Sequence, residues 1–265
     1  MIAALLDPEA IHEAIASEWR DDWGLEVVQE TRSTNDAILE LTTETPFRAL
    51  FAEQQTHGRG RRGNEWFSGG PGENLIMSCA YACPWPLPHW NRLTNVVALA
   101  VKRTLDDLPP ARPLVKWPND IFLGHRKVAG ILIETKVSTG QHSPLAVLGI
   151  GINANGSMES MPEPITSTAT SIRDVTGTII DRNLLAATIL SQLSAALQQA
   201  QNHFADQIDE LRQAAYLTGK LIRARLPNGE VRGLAEGLSD EGELLVRLDD
   251  GSLRAITSAE EVRVV

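Results

Sequence analysis

"EQQTHGRGRRGNEWFSGGPGENL", residues 53–75, decides which fold this 265-residue chain can have. Its centre, Gly58 to Gly63, fits the G-x-G-x-x-G pattern of a dinucleotide-binding turn. Such a turn must follow a strand directly and open a helix. Here "EQQTH" separates the first glycine from the apolar run before it, and Gly69, Gly70, Pro71 and Gly72 forbid a helix downstream. No acidic residue closes a second strand at the needed distance. A doubly wound nucleotide fold is therefore excluded, and the stretch reads as a long loop, functional or disordered. Its glycines let backbone N–H groups turn toward an anion. Arg59, Arg61 and Arg62 supply the planar, multi-donor charge that suits phosphate oxygens. Taken alone the motif could equally be a solvated basic turn.

The charge balance limits what that anion can be. Lys and Arg number 24 against 34 Asp and Glu, a net charge of -10. Nucleic-acid binders usually carry a basic excess, so no nucleic-acid partner is expected and any polyanion contact must be local. No run approaches the roughly 18 apolar residues of a membrane span, and no membrane partner is expected. The apolar start "MIAALLDPEAIHEAI" lacks a basic segment and turns acidic at once, unlike a signal peptide. Cys79 and Cys83 fit neither a zinc knuckle nor a redox pair, and they read as buried, reduced thiols. The histidines are scattered and no metal site is expected. These features together predict a cytoplasmic protein.

Outward from the loop the periodicities alternate. Residues 8–20 carry a helical stripe of Ile11, Ala14, Ile15 and Trp19. "LEVVQE" (25–30) reads as a strand, and "STNDAILEL" (33–41) as a helix with Ser33 as N-cap and Asp36 completing a capping box. Strands follow at 48–53 and 74–82, and a helix at 91–107 places Leu93, Val96, Val97, Ala100, Val101 and Leu105 on one face. "PLVKW" (113–117) and "DIFL" (120–123), joined by a tight turn, predict a hairpin. Strands at 128–137 and 145–153, a loop at 156–167 and helices at 183–200 and 203–215 complete this region. The expectation is an α+β fold, a mixed and largely antiparallel sheet backed by helices. From residue 218 short alternating segments punctuated by "PNGE", "SDEGE" and "DDGS" predict a small antiparallel barrel of about five strands. The chain is thus divided into 1–217 and 218–265.

Further candidates lie outside the loop. Lys116, between Val115 and Trp117 at a strand end, is partly desolvated and wants an anion; pairing with a structural carboxylate explains it equally well. Lys127 precedes Gly130 inside an apolar strand, where glycine suggests the close approach of a ligand or of another backbone. Gly149 and Gly151 share one strand face, with a bulge or helix packing as the blander reading. "STN" (33–35) could be no more than an N-cap.

Together and in order, TRSTNDAIL, EQQTHGRGRRGNEW, KWPNDIF, KVAGILIE and GIGIN resemble the biotin protein ligases, which share the fold of the class II synthetases. The resemblance covers about residues 31–155 and extends through the C-terminal module, which looks like that family's SH3-like domain. It implies an enzyme that activates biotin with ATP and Mg²⁺ to biotinyl-5′-adenylate. The biotin then passes to a lysine of a biotin carboxyl carrier protein, usually that of acetyl-CoA carboxylase. By similarity, Lys116, Arg59 and Arg61 are catalytic. Ser33, Thr34 and Gln55 hold the ureido ring, with Asn35, Gly58, Gly130, Gly149 and Gly151 among the residues of the biotin pocket. Gly60, Arg62, Trp66, Asn119, Lys127 and Asn153 join Lys116 and the arginines around ATP, Trp66 stacking on adenine and Asn153 hydrogen-bonding it.

The loop departs from the family pattern at His57, Asn64 and Glu65, and "SAEEVRV" lacks the glycine frequent before Glu-Val. The ligase signature starts by residue 31, which leaves no room for a winged DNA-binding domain, so a monofunctional enzyme is expected. Edge pairing of the central sheet would give a homodimer. The competing readings are a lipoate or octanoate transferase, which needs no ureido partners and no arginine loop, and a non-catalytic biotin-adenylate binder, which should have lost Lys116 or the arginines.

Overall fold

A computed structural model describes residues 4–40, 47–136, 145–161 and 163–265. Leu41 and Val137, the last residues of an expected helix and an expected strand, and Pro162, within the expected 156–167 loop, lie outside the described residues. Helix α1 (Pro8–Ala14) precedes strand β1 (Trp23–Thr31), helix α2 (Thr34–Glu40) and strand β2 (Phe47–Gln55). β3 (Leu75–Tyr81) leads to α3 (Arg92–Asp106), then β4 (Pro113–Lys116), β5 (Asp120–Leu123), β6 (Arg126–Lys136) and β7 (Leu145–Ile152). They form one sheet in the order β1-β2-β3-β7-β6-β5-β4. β1 and β2 run parallel, with α2 in the crossover that a parallel pair requires. Every other pair is antiparallel. This is the mixed, largely antiparallel α+β sheet that the sequence predicts.

β3 is buried along its whole length. Its unbroken run "LIMSCAY" suits a strand covered on both faces. On one face it joins the core entered by α3, whose six apolar stripe residues are all fully buried and which lies against β4, β5 and β6. α3 packs on α6 (Arg182–Ala200), and α7 (Phe204–Gln213) follows. The opposite face is covered by α2 through Ile38 against Leu50, Ala80 and Val147.

Two expectations need correction. The stripe over 8–20 is not one helix: α1 ends at Ala14, and a 3-10 turn occupies Arg20–Asp22. The Arg20 guanidinium donates to the carbonyls of Glu13 (2.7 Å) and Ile15 (3.1 Å), and Ala16 N–H donates to Ser191 Oγ (3.0 Å), so side chains satisfy what a continuing helix would have. The loop over 156–167 contains a 3-10 turn at Met158–Ser160 and a short helix α4 (Ile165–Thr168), followed by α5 (Ile172–Thr176). Ser171 caps α5 by accepting from Asp174 N–H at 3.1 Å.

The C-terminal strands β8 (Leu221–Leu226), β9 (Gly229–Leu238), β10 (Leu244–Arg247), β11 (Leu253–Ile256) and β12 (Glu261–Val264) form a second, antiparallel sheet. Its order is β11-β10-β9-β8-β12. Period-two alternation buries Ile222, Ala224, Val231, Ala235, Val246 and Val262.

Glu53 in β2 and Arg182 at the start of α6 meet in the core, their side chains 0% and 1% exposed. Two parallel bonds of 3.0 Å join them. The carboxylate also accepts from Leu6 N–H (2.6 Å) and Gly72 N–H (2.9 Å), and the guanidinium reaches the carbonyls of Asn74 (3.0 Å) and Ala4 (2.7 Å). Burial alone would push the Glu53 carboxyl up. The Arg182 and backbone bonds outweigh it and hold Glu53 below its ordinary value. The stabilisation is therefore complete above the ordinary carboxylate range and is lost as pH falls through the lower native value. Arg182→Met, which leaves the carboxylate buried and unpaired, should destabilise the fold by about 3–5 kcal/mol in denaturant unfolding. A loss under about 1 kcal/mol would show that the core tolerates the orphan charge.

Candidate functional site

A cavity of about 590 Å³ opens over β6 and β7. Its walls are the N-terminus of α2, the 58–66 segment, the β4–β5 turn and β12. One end is polar. Ser33, Thr34 and Asn35 are buried at the start of α2. Gln55 Oε1 accepts from both Thr34 N–H (2.8 Å) and Thr34 Oγ1 (3.1 Å). Ser78 Oγ lies 2.7 Å from Thr34 Oγ1 and 2.5 Å from Asn35 Oδ1. Asn35 Nδ2 donates to Glu134 Oε2 at 2.7 Å.

The floor is glycine. Gly130 and Gly151 are cross-strand partners, and Gly149 opposes Leu132. A Cβ at Gly149 would fall 2.3 Å from Asn35 Oδ1, and one at Gly151 would fall 2.5 Å from the Trp66 ring. The room these glycines leave is thus used by two side chains of the pocket itself. Trp66 covers Gly151 and Gly130, Lys127 Nζ stands 5.5 Å from its ring centroid, and its buried indole N–H has no acceptor among the described residues.

The other end is cationic. Lys127 is paired with Asp120 at 2.6 Å. Lys116 has no ion pair among the described residues, and its ammonium lies 5.1 Å from the Phe122 ring centroid. Burial pushes its pKa below the ordinary lysine value; Lys127 and Arg263 push the same way, while Asp120 and Glu261 oppose them. Arg61 is also without a carboxylate partner among the described residues. It donates to Asn119 Oδ1 at 3.3 Å, and Asn119 is itself fixed to the Ile131 carbonyl at 2.8 Å. Burial, then the neighbouring Arg62, lowers the Arg61 pKa.

Arg59 is different. It binds Asp36 and Glu134, each with a contact of 2.8 Å. Burial works against its charge, but Glu134 and then Asp36 outweigh that and raise its pKa.

The 58–66 segment is a small hairpin. Trp66 N–H donates to Gly58 O (2.9 Å), Gly60 N–H donates to Asn64 O (2.7 Å), and Arg59 bridges Glu65. Its tip is a 3-10 turn over Arg61–Gly63, in which Arg62 takes a left-handed φ of 57°.

Most expected residues converge on the cavity: Ser33, Thr34, Asn35, Gln55, Arg59, Gly60, Arg61, Trp66, Lys116, Asn119, Lys127, Gly130, Gly149 and Gly151 all line it. Three do not. Gly58 is the hairpin base, where a Cβ would fall 2.5 Å from Trp66 O. Arg62 turns away to Glu260 at 2.8 Å. Asn153 donates from its side-chain amide to the Thr170 carbonyl at 3.0 Å and is not among the lining residues.

Sequence reasoning missed other lining residues. Asp120 stood inside a quoted motif. Ile76, Met77, Ile131 and Leu132 supply an apolar wall, and Glu260, Glu261, Val262 and Arg263 come from the C-terminal sheet. Behind the lining, Glu134 and Ser78 hold Asn35; Glu134 too stood in a quoted motif, whereas nothing in the local pattern marks Ser78 or Arg263.

The two loop arginines therefore differ in available charge. Arg61→Gln should weaken pyrophosphate binding by more than about tenfold, as loss of a charge-assisted bond predicts. Arg59→Gln should change it by less than about threefold. Calorimetric titration with pyrophosphate checks both, and equal losses would contradict the distinction.

Residues 25–153 match the Biotin/lipoate A/B protein ligase family, and residues 218–260 match the Biotin protein ligase C terminal domain. The chain is 32% identical over 253 residues to the biotin--[acetyl-CoA-carboxylase] ligase of Mycobacterium tuberculosis, covering 93% of this chain and 90% of that one. It is 31% identical over 241 residues to the enzyme of the same name from Paracoccus denitrificans, covering 89% and 98%. Among solved structures, the biotin protein ligase of Aquifex aeolicus in complex with biotin and ATP superposes with a TM-score of 0.81 at 29% identity, covering 91% and 99%.

Proposed function

The chain belongs to the biotin protein ligase family, and from that premise we propose that it is an ATP-dependent biotin--[acetyl-CoA-carboxylase] ligase whose cavity holds biotin and ATP end to end. The observation that carries the reading is the pairing of a polar cluster, buried Ser33 and Thr34 with half-buried Gln55, at one end with two partly desolvated cations, Lys116 and Arg61, at the other. Biotin has that polarity: a ureido ring that needs donors and acceptors, an apolar body and a terminal carboxylate. An octanoyl or lipoyl chain would gain nothing from the polar end.

In the first step the biotin carboxylate oxygen attacks the α-phosphorus of ATP. An acyl–phosphate bond forms, the α–β phosphoanhydride bond breaks, and pyrophosphate leaves with the electron pair. An anion must approach an anion, so fixed positive charge and positioning supply the catalysis. Lys116 and Arg61 offer that charge without the reorganisation that solvated groups would need. Arg59, engaged by Asp36 and Glu134, locks the hairpin against α2 and β6 instead of touching phosphate. Trp66 stacks on adenine.

Mg²⁺ accompanies ATP in this reading. Among the described residues no three His, Cys, Asp or Glu gather into a cage. Such an ion would be held mainly by phosphates and water and would neutralise the triphosphate.

In the second step a lysine amine of a biotin carboxyl carrier protein attacks the acyl carbonyl. An amide forms, AMP leaves, and the amine proton passes to solvent. We take residues 1–217 as the catalytic module and 218–265 as the C-terminal one. No described helix is long and apolar enough to cross a membrane.

Incubation with MgATP, labelled biotin and a carrier domain should label the carrier; an unlabelled carrier would overturn the reading. Lys116→Ala should slow adenylate formation by roughly 10²–10³, the effect of removing one preorganised donor, measured as biotin-dependent pyrophosphate release. Arg61→Gly should leave part of that rate but let biotinyl-adenylate escape, seen as free adenylate in the filtrate. An unchanged release rate would show that Arg61 does not retain the intermediate.

A further inference from the structure

Both chain neighbours of Lys116 are held from outside the strands that surround it. Val115, before it, donates to Ala214 O at 2.8 Å, and its own carbonyl accepts from Tyr216 N–H at 2.9 Å. The open edge of β4 is thus paired with the segment that joins α7 to the C-terminal sheet. Trp117, after it, is buried, and its indole N–H donates to Gly242 O at 3.1 Å, in the turn between β9 and β10. That turn fits closely: Gly242 has a φ of 79°, and a Cβ there would fall 2.1 Å from Asn95 Nδ2 of α3. A buried indole N–H requires an acceptor, and this one finds it in the other module.

The ammonium is buttressed by the same connection. Its ring neighbour Phe122 lies 4.8 Å, centroid to centroid, from Tyr216, and Lys220 Nζ covers Tyr216 at 3.2 Å. Arg212 and Arg92 hold the Gly242 turn from the helical side, through Leu238 O, Asp240 and Glu241. β12 adds charge, because Glu261 and Arg263 line the cavity beside Lys116.

We infer that Trp117 and Tyr216 are positioning residues for Lys116, through which the docked C-terminal sheet sets where the lysine ammonium stands. The inference rests on the ligase reading for the role of Lys116. A loosened Trp117 lets the ammonium swing toward water. The charged groups around it are Asp120 from β5, Lys127 from β6, and Glu261 and Arg263 from β12. Burial is the largest cause of the lowered pKa, so hydration raises it, and activity that needs the charged lysine then survives to higher pH.

Trp117→Phe keeps the ring and removes the donor. The expected result is about a tenfold lower rate constant for biotin-dependent pyrophosphate release at saturating substrates, with KM for biotin changed by less than about twofold. The alkaline limb of the pH profile should move upward. A merely structural role would lower the folded fraction and the Tm but leave the rate per folded molecule and the limb in place; that result overturns the inference. Should Trp117→Phe not fold, the surface double variant Asp240→Asn, Glu241→Gln releases the Gly242 turn instead. It should move rate and limb in the same directions by a smaller amount, and no movement overturns the inference. If the wild type forms no adenylate, the ligase reading fails separately. The Lys116 side-chain titration by ¹³C NMR then decides: a higher pKa in Trp117→Phe supports the positioning role, and an unchanged pKa removes it.

Discussion

The Glu53–Arg182 pair is where strand, loop, terminus and helix are tied together. A carboxylate and a guanidinium withdrawn from water carry a desolvation penalty of several kcal/mol each unless every remaining donor and acceptor is used. Here the partners come from far apart in the chain, Leu6 and Ala4 from the N-terminal strap and Gly72 and Asn74 from the end of the long loop, and of the pair's donors the Arg182 Nε–H has no acceptor among the described residues. The loop's far foot is therefore held by the same bonds that keep α6 against the sheet. Asn74 extends the grip, donating to Ser68 O and accepting from Ala154 N–H, while Glu73 O accepts from Asn155 and Gly156. The glycine-rich span 69–72 is anchored backbone, tied through Gly70 N–H to Glu73 and through Gly72 N–H to Glu53.

The cavity applies the same physics with one partner left out. Lys116 and Arg61 are drawn partly out of water as Arg182 is, yet no carboxylate meets either among the described residues. In a structural role that arrangement would be a net loss. It is sustained because the surrounding fold is stable enough to hold it, and it becomes favourable when an anion enters. Lys127 and Arg59 show what satisfied cations look like in the same pocket, each with its own carboxylate. An overall charge of -10 is no obstacle, since the pull on a ligand is set within a Debye length of about 8–10 Å.

How much of this could be read in the chain follows from the range of the interactions. β3 and β7 are unbroken apolar runs, and α3 has a clear stripe, so periodicity identifies them. The site's lining was legible because motif residues fall at strand ends and turns that converge whenever the sheet forms. Tertiary bonds were not legible. Nothing near Arg20 announces that it will take two carbonyls and end α1, and nothing near Glu53 announces Arg182. The four arginines at the mouth, Arg59, Arg61, Arg62 and Arg263, differ only in what the fold brings to them, so their separate fates could not be assigned from spacing. The bond of Asn153 has the same origin: its partner, the Thr170 carbonyl, is supplied by a short segment with no strong signal of its own.

The hairpin's attachments suit a reaction in two steps. A mixed anhydride must be kept from water after the first step and opened to a carrier lysine in the second. A hairpin locked by buried pairs could close but could not reopen at catalytic rates. Arg59 to Asp36 and Glu134, and Arg62 to Glu260, are part-exposed pairs with side chains about a third or more in solvent. Such pairs contribute about 0–1 kcal/mol each. The three of them, reaching α2 and β6 on one side and the C-terminal module on the other, hold the hairpin in this position and are too weak to make it permanent. The strong pair is placed at the foot and the weak ones at the tip, the order of strengths that a loop sealing and releasing the cavity would require.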